Sequence, residues 1–202
     1  MQPDQNEYPI DYLNQIAPEQ KKPLMNSKVL LVIVGIGAIL AAVVGFLLLI
    51  NSGGASDSQK LQTLSARMQT LEKISKSAER NIKSSTLRST NSTLSLFLTN
   101  ANRDIATPLK NNGIKTANLD KTIVKKEDGA KVTTTLENAR LNAVYDRTYA
   151  REMSFQLDTV ASLMKQIYTT TKSKSLKDFL LSTDTNLKPI RTQLADFNAV
   201  NS

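Results

Sequence analysis

The sequence predicts an all-α protein: one N-terminal transmembrane helix, then a four-helix bundle whose two hairpins are joined by a long crossover. Three observations carry that reading. Residues 29–50 (VLLVIVGIGAILAAVVGFLLLI) are 22 apolar or small residues in a row with no charge. From residue 57 onward apolar side chains recur at three- and four-residue steps, the period of a helix with one buried face. Apart from Pro189, the 7 Gly and 6 Pro collect toward the N-terminus and around two connectors, so the segments between them are free to be helical.

Composition narrows the chemistry. The chain has no Cys, which removes disulfides and thiolate chemistry. It has no His, the commonest metal ligand and general base and the usual switch near neutral pH. With no Trp and 5 Phe it lacks the aromatic platforms that stack on single-stranded nucleic acid, so nucleic acid is not an expected partner. No cofactor is expected.

Residues 1–28 are polar, contain four Pro and show no helical period, so they read as a disordered tail. Within it the island YPIDYLNQI (8–16) is a candidate docking peptide for a cytoplasmic partner, against the plainer reading of a solvated tail. Residues 29–50 would form a helix about 33 Å long, enough to cross a hydrocarbon core of about 30 Å. The rival, a cleavable signal peptide, normally has a hydrophobic region of about 7–15 residues behind a short basic start; here 28 residues precede the run. Lys21, Lys22 and Lys28 lie just before the span, and no Lys or Arg follows until Lys60. The positive-inside rule then places the N-terminus in the cytoplasm and the rest outside a plasma membrane. Gly37, Ala41 and Gly45 recur every fourth residue. Such a small-residue face allows close helix approach and makes a homodimer through the span a candidate. Residues 51–56 read as a flexible linker and 57–200 as the bundle domain.

Each bundle helix has its own pattern. The first carries Leu61, Leu64, Met68, Leu71, Ala78 and Ile82, with Ser75 interrupting the stripe. The second, over 86–110, carries Leu87, Leu94, Phe97, Leu98, Ala101, Ile105 and Leu109, and Pro108 with Asn111-Asn112-Gly113 stops it. The crossover holds at best a short helix in ANLDKTIVKKEDG and a further piece over 131–141. The third main helix holds Ala150, Met153, Leu157, Val160, Met164 and Ile167, and the last spans 176–200, where Pro189 predicts a kink or a shortened start. Leu94, Phe97, Leu98 and Ile105 match Leu176, Phe179, Leu180 and Leu187 at a constant offset of 82, a hint of a duplicated hairpin.

Tyr145, Asp146, Tyr149 and Met153 in YDRTYAREM, with Leu176, Lys177 and Phe179 in SLKDF, resemble the C-terminal hairpin of a ferritin-like family of exported bacterial proteins of unknown function. The match covers about 60 residues, and the first hairpin only by pattern. The layout of tail, span and helical ectodomain also resembles uncharacterised membrane proteins of ultra-small candidate-phylum bacteria. The resemblance implies a ferritin-like bundle, in which family histidines would fall on Leu157 and near Ile190. Both positions are apolar here. A di-iron site needs inward Glu residues and Glu-x-x-His pairs, which this chain lacks, so no metal is expected and Leu157 joins the packed stripe. Tyr145 and Tyr149, four apart, are expected at the edge of the core.

Other signals are weaker. Ser162 and Lys165 have the Ser-x-x-Lys spacing of penicillin-recognising enzymes, but the companion motifs are missing and the segment is an apolar helix. Glu72, Glu79, Asp178 and Asp184 read as solvated faces, and Asn91-Ser92-Thr93 is a glycosylation sequon. Residues 56–202 hold 23 Lys and Arg against 14 Asp and Glu. The densest cluster, Lys121, Lys125, Lys126 and Lys131 in the crossover, is the candidate contact for a polyanion such as a wall polymer or extracellular DNA. The expected role is non-enzymatic: a membrane-anchored bundle serving structure or protein interaction, with the lipid bilayer and a protein as partners. The alternatives are an extracytoplasmic ligand-binding sensor and a polyanion-binding surface protein.

Overall fold

The structure is a computed structural model and describes residues 56–115 and 118–200. Among the described residues the elements are seven helices and no strand: α1 (Asp57–Ala78), α2 (Ser85–Asp104), α3 (Ala106–Asn111), α4 (Lys121–Lys126), α5 (Ala130–Leu141), α6 (Tyr145–Thr170) and α7 (Lys174–Val200). The protein is all-α there, as the periodicity predicts. No helix among the described residues is long and apolar enough to cross a membrane. The span over 29–50, with Gly37, Ala41 and Gly45, lies outside the described residues, as do the tail and residues 51–55 of the expected linker, whose last residue, Ser56, belongs instead to the cap of α1.

Local chemistry starts the long helices. Ser56 caps α1 through a capping box: its hydroxyl accepts from the Gln59 N–H, and the Gln59 side chain accepts from the Ser56 N–H, each at 3.2 Å. Ser84 caps α2 by accepting from the Leu87 N–H at 3.3 Å. Ser173 does the same for α7 through the Leu176 N–H, also at 3.3 Å. The expected single helix over 86–110 is divided at Ile105 into α2 and α3. Pro108 lacks an N–H, and its ring crowds the carbonyl four residues earlier, which places the break at 104–105. The α-type bonds resume at once, from Leu109 N–H to Ile105 C=O at 2.9 Å. Gly113, at φ +74°, ends α3 in a Schellman turn: Gly113 N–H bonds Lys110 C=O and Ile114 N–H bonds Leu109 C=O, both at 2.9 Å.

Pro189 does not shorten α7. The helix begins at Lys174, two residues before the expected start, and continues unbroken through the proline. The carbonyl that Pro189 leaves without a donor belongs to Thr185, on an exposed turn where water can serve it.

The order of contacts around the bundle is α1–α2–α7–α6, with α1 and α6 closing the ring. Directions follow from side-chain bonds at its two ends. At one end Asp146, at the start of α6, accepts from the backbone of the 79–84 turn. At the other, the Thr170 hydroxyl at the end of α6 donates to Asp57 at the start of α1, at 2.8 Å. Hence α6 runs antiparallel to α1 and parallel to α2, and the crossover must travel back along the bundle. In the crossover α4 packs on α1 and α5 on α6.

One continuous core fills the bundle. Leu64, Met68, Leu94, Leu98, Met153, Leu157, Ile167, Leu187 and Leu194 are fully buried. Each such side chain contributes roughly 1.5–3 kcal/mol by leaving water. The repeat hint carries into packing: Leu94, Leu98 and Ile105 are buried like Leu176, Leu180 and Leu187, while Phe97 and Phe179 are both half-buried against the core.

Candidate functional site

The middle of the bundle is where a ferritin-like metal centre would lie, and side chains pack it shut. Leu157 is 0% exposed and Ile190 3%, so both positions on which the resemblance would place histidines belong to the core. Among the described residues no group of three or more potential ligands converges to hold a metal ion.

What is polar inside is a small network joining α1, α2 and α6. The Ser75 hydroxyl donates to Asn91 Oδ1 at 2.7 Å, and Asn91 Nδ2 donates to the Ser75 carbonyl at 3.1 Å. The Tyr149 hydroxyl donates to the same Asn91 Oδ1. All three residues are buried. Each polar side-chain atom of this network has a partner, which avoids the cost of about 1–3 kcal/mol that an orphaned group carries. Burial pushes the Tyr149 phenol far above its ordinary value, so it stays a neutral donor. This corrects the expectation that both tyrosines sit at the core edge. Tyr149 lies inside the core, and Tyr145, stacked on it at 6.2 Å, is buried more shallowly. Burial also raises the Tyr145 phenol, against a hydrogen bond with Asn81 that lowers it. Asn91 is 1% exposed, so its amide is occupied and the sequon is closed to a glycan.

Two acidic residues act as clasps. Glu72 does not form part of a solvated face: it accepts from Lys76 at 2.6 Å, Thr99 at 2.8 Å and Asn102 at 2.6 Å, which ties α1 to α2. Burial acts to raise its carboxyl, and these bonds together outweigh that and hold it below the ordinary value. Glu79, Asp178 and Asp184 are exposed, as expected. Glu127 is buried and pairs with Arg67 at 2.6 Å, while its carbonyl accepts from the Thr70 hydroxyl at 2.6 Å. That pair pins the crossover to α1. Gly129 follows at φ +72°, so close to α1 that a Cβ would stand 2.6 Å from a Thr70 methyl.

Lys121, Lys125 and Lys126 are exposed on α4 and Lys131 is exposed on α5. Only Lys126 and Lys131 border the same small cavity, of about 170 Å³, and they share it with Asp128 and the Arg67–Glu127 pair. The crossover lysines are therefore brought together only in part. Ser162 and Lys165 sit on a groove of about 370 Å³ along α6 and α7, with no hydrogen bond between them among the described residues.

A larger cleft, of about 690 Å³, opens where the 79–84 turn meets the end of α5 and the start of α6. Asp146 organises it. Its carboxylate accepts from Lys83 N–H at 3.0 Å and Ser84 N–H at 2.7 Å, capping the start of α2 from another helix. The turn into α6 passes through Ala143 at φ +58°, a left-handed position where glycine is usual. Arg80, Lys83, Arg140 and Arg147 line the cleft. Sequence reasoning missed these four because they come from separate segments. It could have found Ser75 and Asn91, which are polar residues standing on otherwise apolar stripes.

No family model matches the chain, and no curated protein or solved structure matches it.

Proposed function

We propose that the chain is a membrane-anchored, extracytoplasmic helical-bundle protein with a structural or protein-interaction role and no catalysis, built on a ferritin-like scaffold. The observation that carries the reading is the filled interior: Leu157 and Ile190 lie in a continuous apolar core at the positions where the resembling family places its ligands. Two antiparallel hairpins joined by one long crossover are the topology of ferritin-like folds, which supports the kinship. The apolar run over 29–50 supports the anchor, and the lysines before it support an inward N-terminus.

The test is protease added to intact cells. The reading expects loss of the domain after residue 55 and protection of the 1–28 tail. Digestion of the tail with protection of the domain would reverse the orientation, and release of the whole chain by a salt wash would remove the anchor.

A further inference from the structure

The cleft at the Asp146 end of the bundle has the makings of an anion site. Its volume of about 690 Å³ suits a ligand of several linked groups rather than a single ion. Arg80 and Lys83 reach it from the turn after α1, Arg140 from the end of α5 and Arg147 from the first turn of α6. Arg140 is engaged by Glu137, its Nε 2.9 Å from a carboxylate oxygen. The side chains of Arg80, Lys83 and Arg147 have no ion pair or hydrogen bond among the described residues.

The carboxylate lining the cleft, Asp146, is turned onto the backbone N–H groups of Lys83 and Ser84 and is occupied there. Like charges from three segments are thus gathered around an open space with little to neutralise them, an arrangement that an anionic ligand would relieve. The start of α6 adds to the field: unlike α1, α2 and α7 it has no side-chain cap, so its first-turn N–H groups remain available.

We propose that this cleft binds a ligand carrying two or more linked phosphates or phosphate esters. Guanidinium groups match phosphate oxygens in a two-pronged geometry, and several cations spread over the cleft favour several phosphates over one carboxylate. The site is separate from the crossover lysines and does not depend on the anchored-scaffold reading.

The test is calorimetric titration of the full-length, detergent-solubilised chain with sodium tripolyphosphate at an ionic strength of about 0.15 M, where loose surface attraction is screened. Saturable binding at one ligand per chain is expected. Arg80→Gln combined with Arg147→Gln should weaken it at least about tenfold. Lys172→Gln with Lys188→Gln removes equal charge far from the cleft and should change it by less than about twofold. Absence of saturable binding, or equal weakening by both pairs, overturns the proposal. Should the arginine pair fail to fold, Lys83→Glu carries the same test, and unchanged affinity would overturn it. A parallel titration with short-chain phosphatidylinositol bisphosphate, whose headgroup carries several phosphates, separates the sources. Tighter tripolyphosphate binding assigns the site to a free oligophosphate, and tighter binding of the phosphoinositide, lost with the same arginines, assigns it to a lipid headgroup.

Discussion

The two hairpins of the bundle share a spacing of apolar residues and differ in what fills the middle. On α6 and α7 the buried faces carry Met153, Leu157, Val160, Leu180 and Leu187. On α1 and α2 the equivalent stretch is interrupted by Ser75 and Asn91, which bond each other and Tyr149. Ser75 stands 82 residues before Leu157, the same offset that aligns the stripes of α2 and α7. One hairpin therefore holds a serine where the other holds a leucine. Apolar contact has no direction, so the second hairpin is held by shape and by area removed from water. The hydrogen bonds of the first are directional and set the register among α1, α2 and α6.

The largest effect should come from the apolar side of this contrast. Leu157→Ala should cost about 2–5 kcal/mol in urea melts of the detergent-solubilised chain followed by circular dichroism, as for any packed site that is emptied. Leu157→His should also destabilise, because a polar ring would be buried without a partner. A neutral Leu157→Ala would mean that α6 faces the other way, and the contrast between hairpins would collapse.

Asn91→Ala probes the polar side. It strands the Tyr149 hydroxyl in the core, leaves the Ser75 hydroxyl only the backbone carbonyl of residue 91 at 3.4 Å, and should cost about 1–3 kcal/mol in the same melts. A double change, Asn91→Ala with Tyr149→Phe, should cost less than the sum of the two single changes, since the second removes an orphan left by the first. Strict additivity would show that the three residues do not act as a unit.

Ala143→Gly should move stability the other way, by roughly 1 kcal/mol, because glycine relieves the left-handed strain at φ +58° where the crossover hands the chain to the second hairpin. Any destabilisation on thermal melting would place that turn in another conformation.

Glu72 provides a pH test confined to the first hairpin. Its folded carboxyl lies below the ordinary value of 4.5, so its contribution is present above that value and is lost as pH falls through the lower folded value. Glu72→Gln should flatten the fall in stability below about pH 4.5, in an acid titration of the melting temperature. An identical acid profile for the variant would remove Glu72 as a clasp. Smallest of all, Arg151→Ala on the exposed face of α6 should stay within about 0.5 kcal/mol of the parent. A large loss there would overturn the assigned faces of the helix.

How far such features can be read in advance depends on their range along the chain. The helices and most of the core were legible, because a three- and four-residue period is a local property: Met153, Leu157, Val160, Met164 and Ile167 declare one face of α6 by spacing alone. The break before Pro108 was legible in principle, since the ring acts four residues upstream of itself. Glu127 was not legible. It lies among exposed lysines in the sequence, and only the return of the crossover along α1 brings it to Arg67, 60 residues away.

The sequence by itself determined that the protein is helical, that Cys and His chemistry is absent, and where the apolar faces lie. The tertiary structure alone decided that Tyr149 is interior, that Asp146 caps a helix 62 residues away at Ser84, and that Arg80, Lys83, Arg140 and Arg147 surround one cleft. The reason is the reach of each interaction. A helix is written in neighbours three and four residues apart, whereas a buried ion pair, a cap supplied from another helix and a charged cleft exist only once distant segments have been packed side by side.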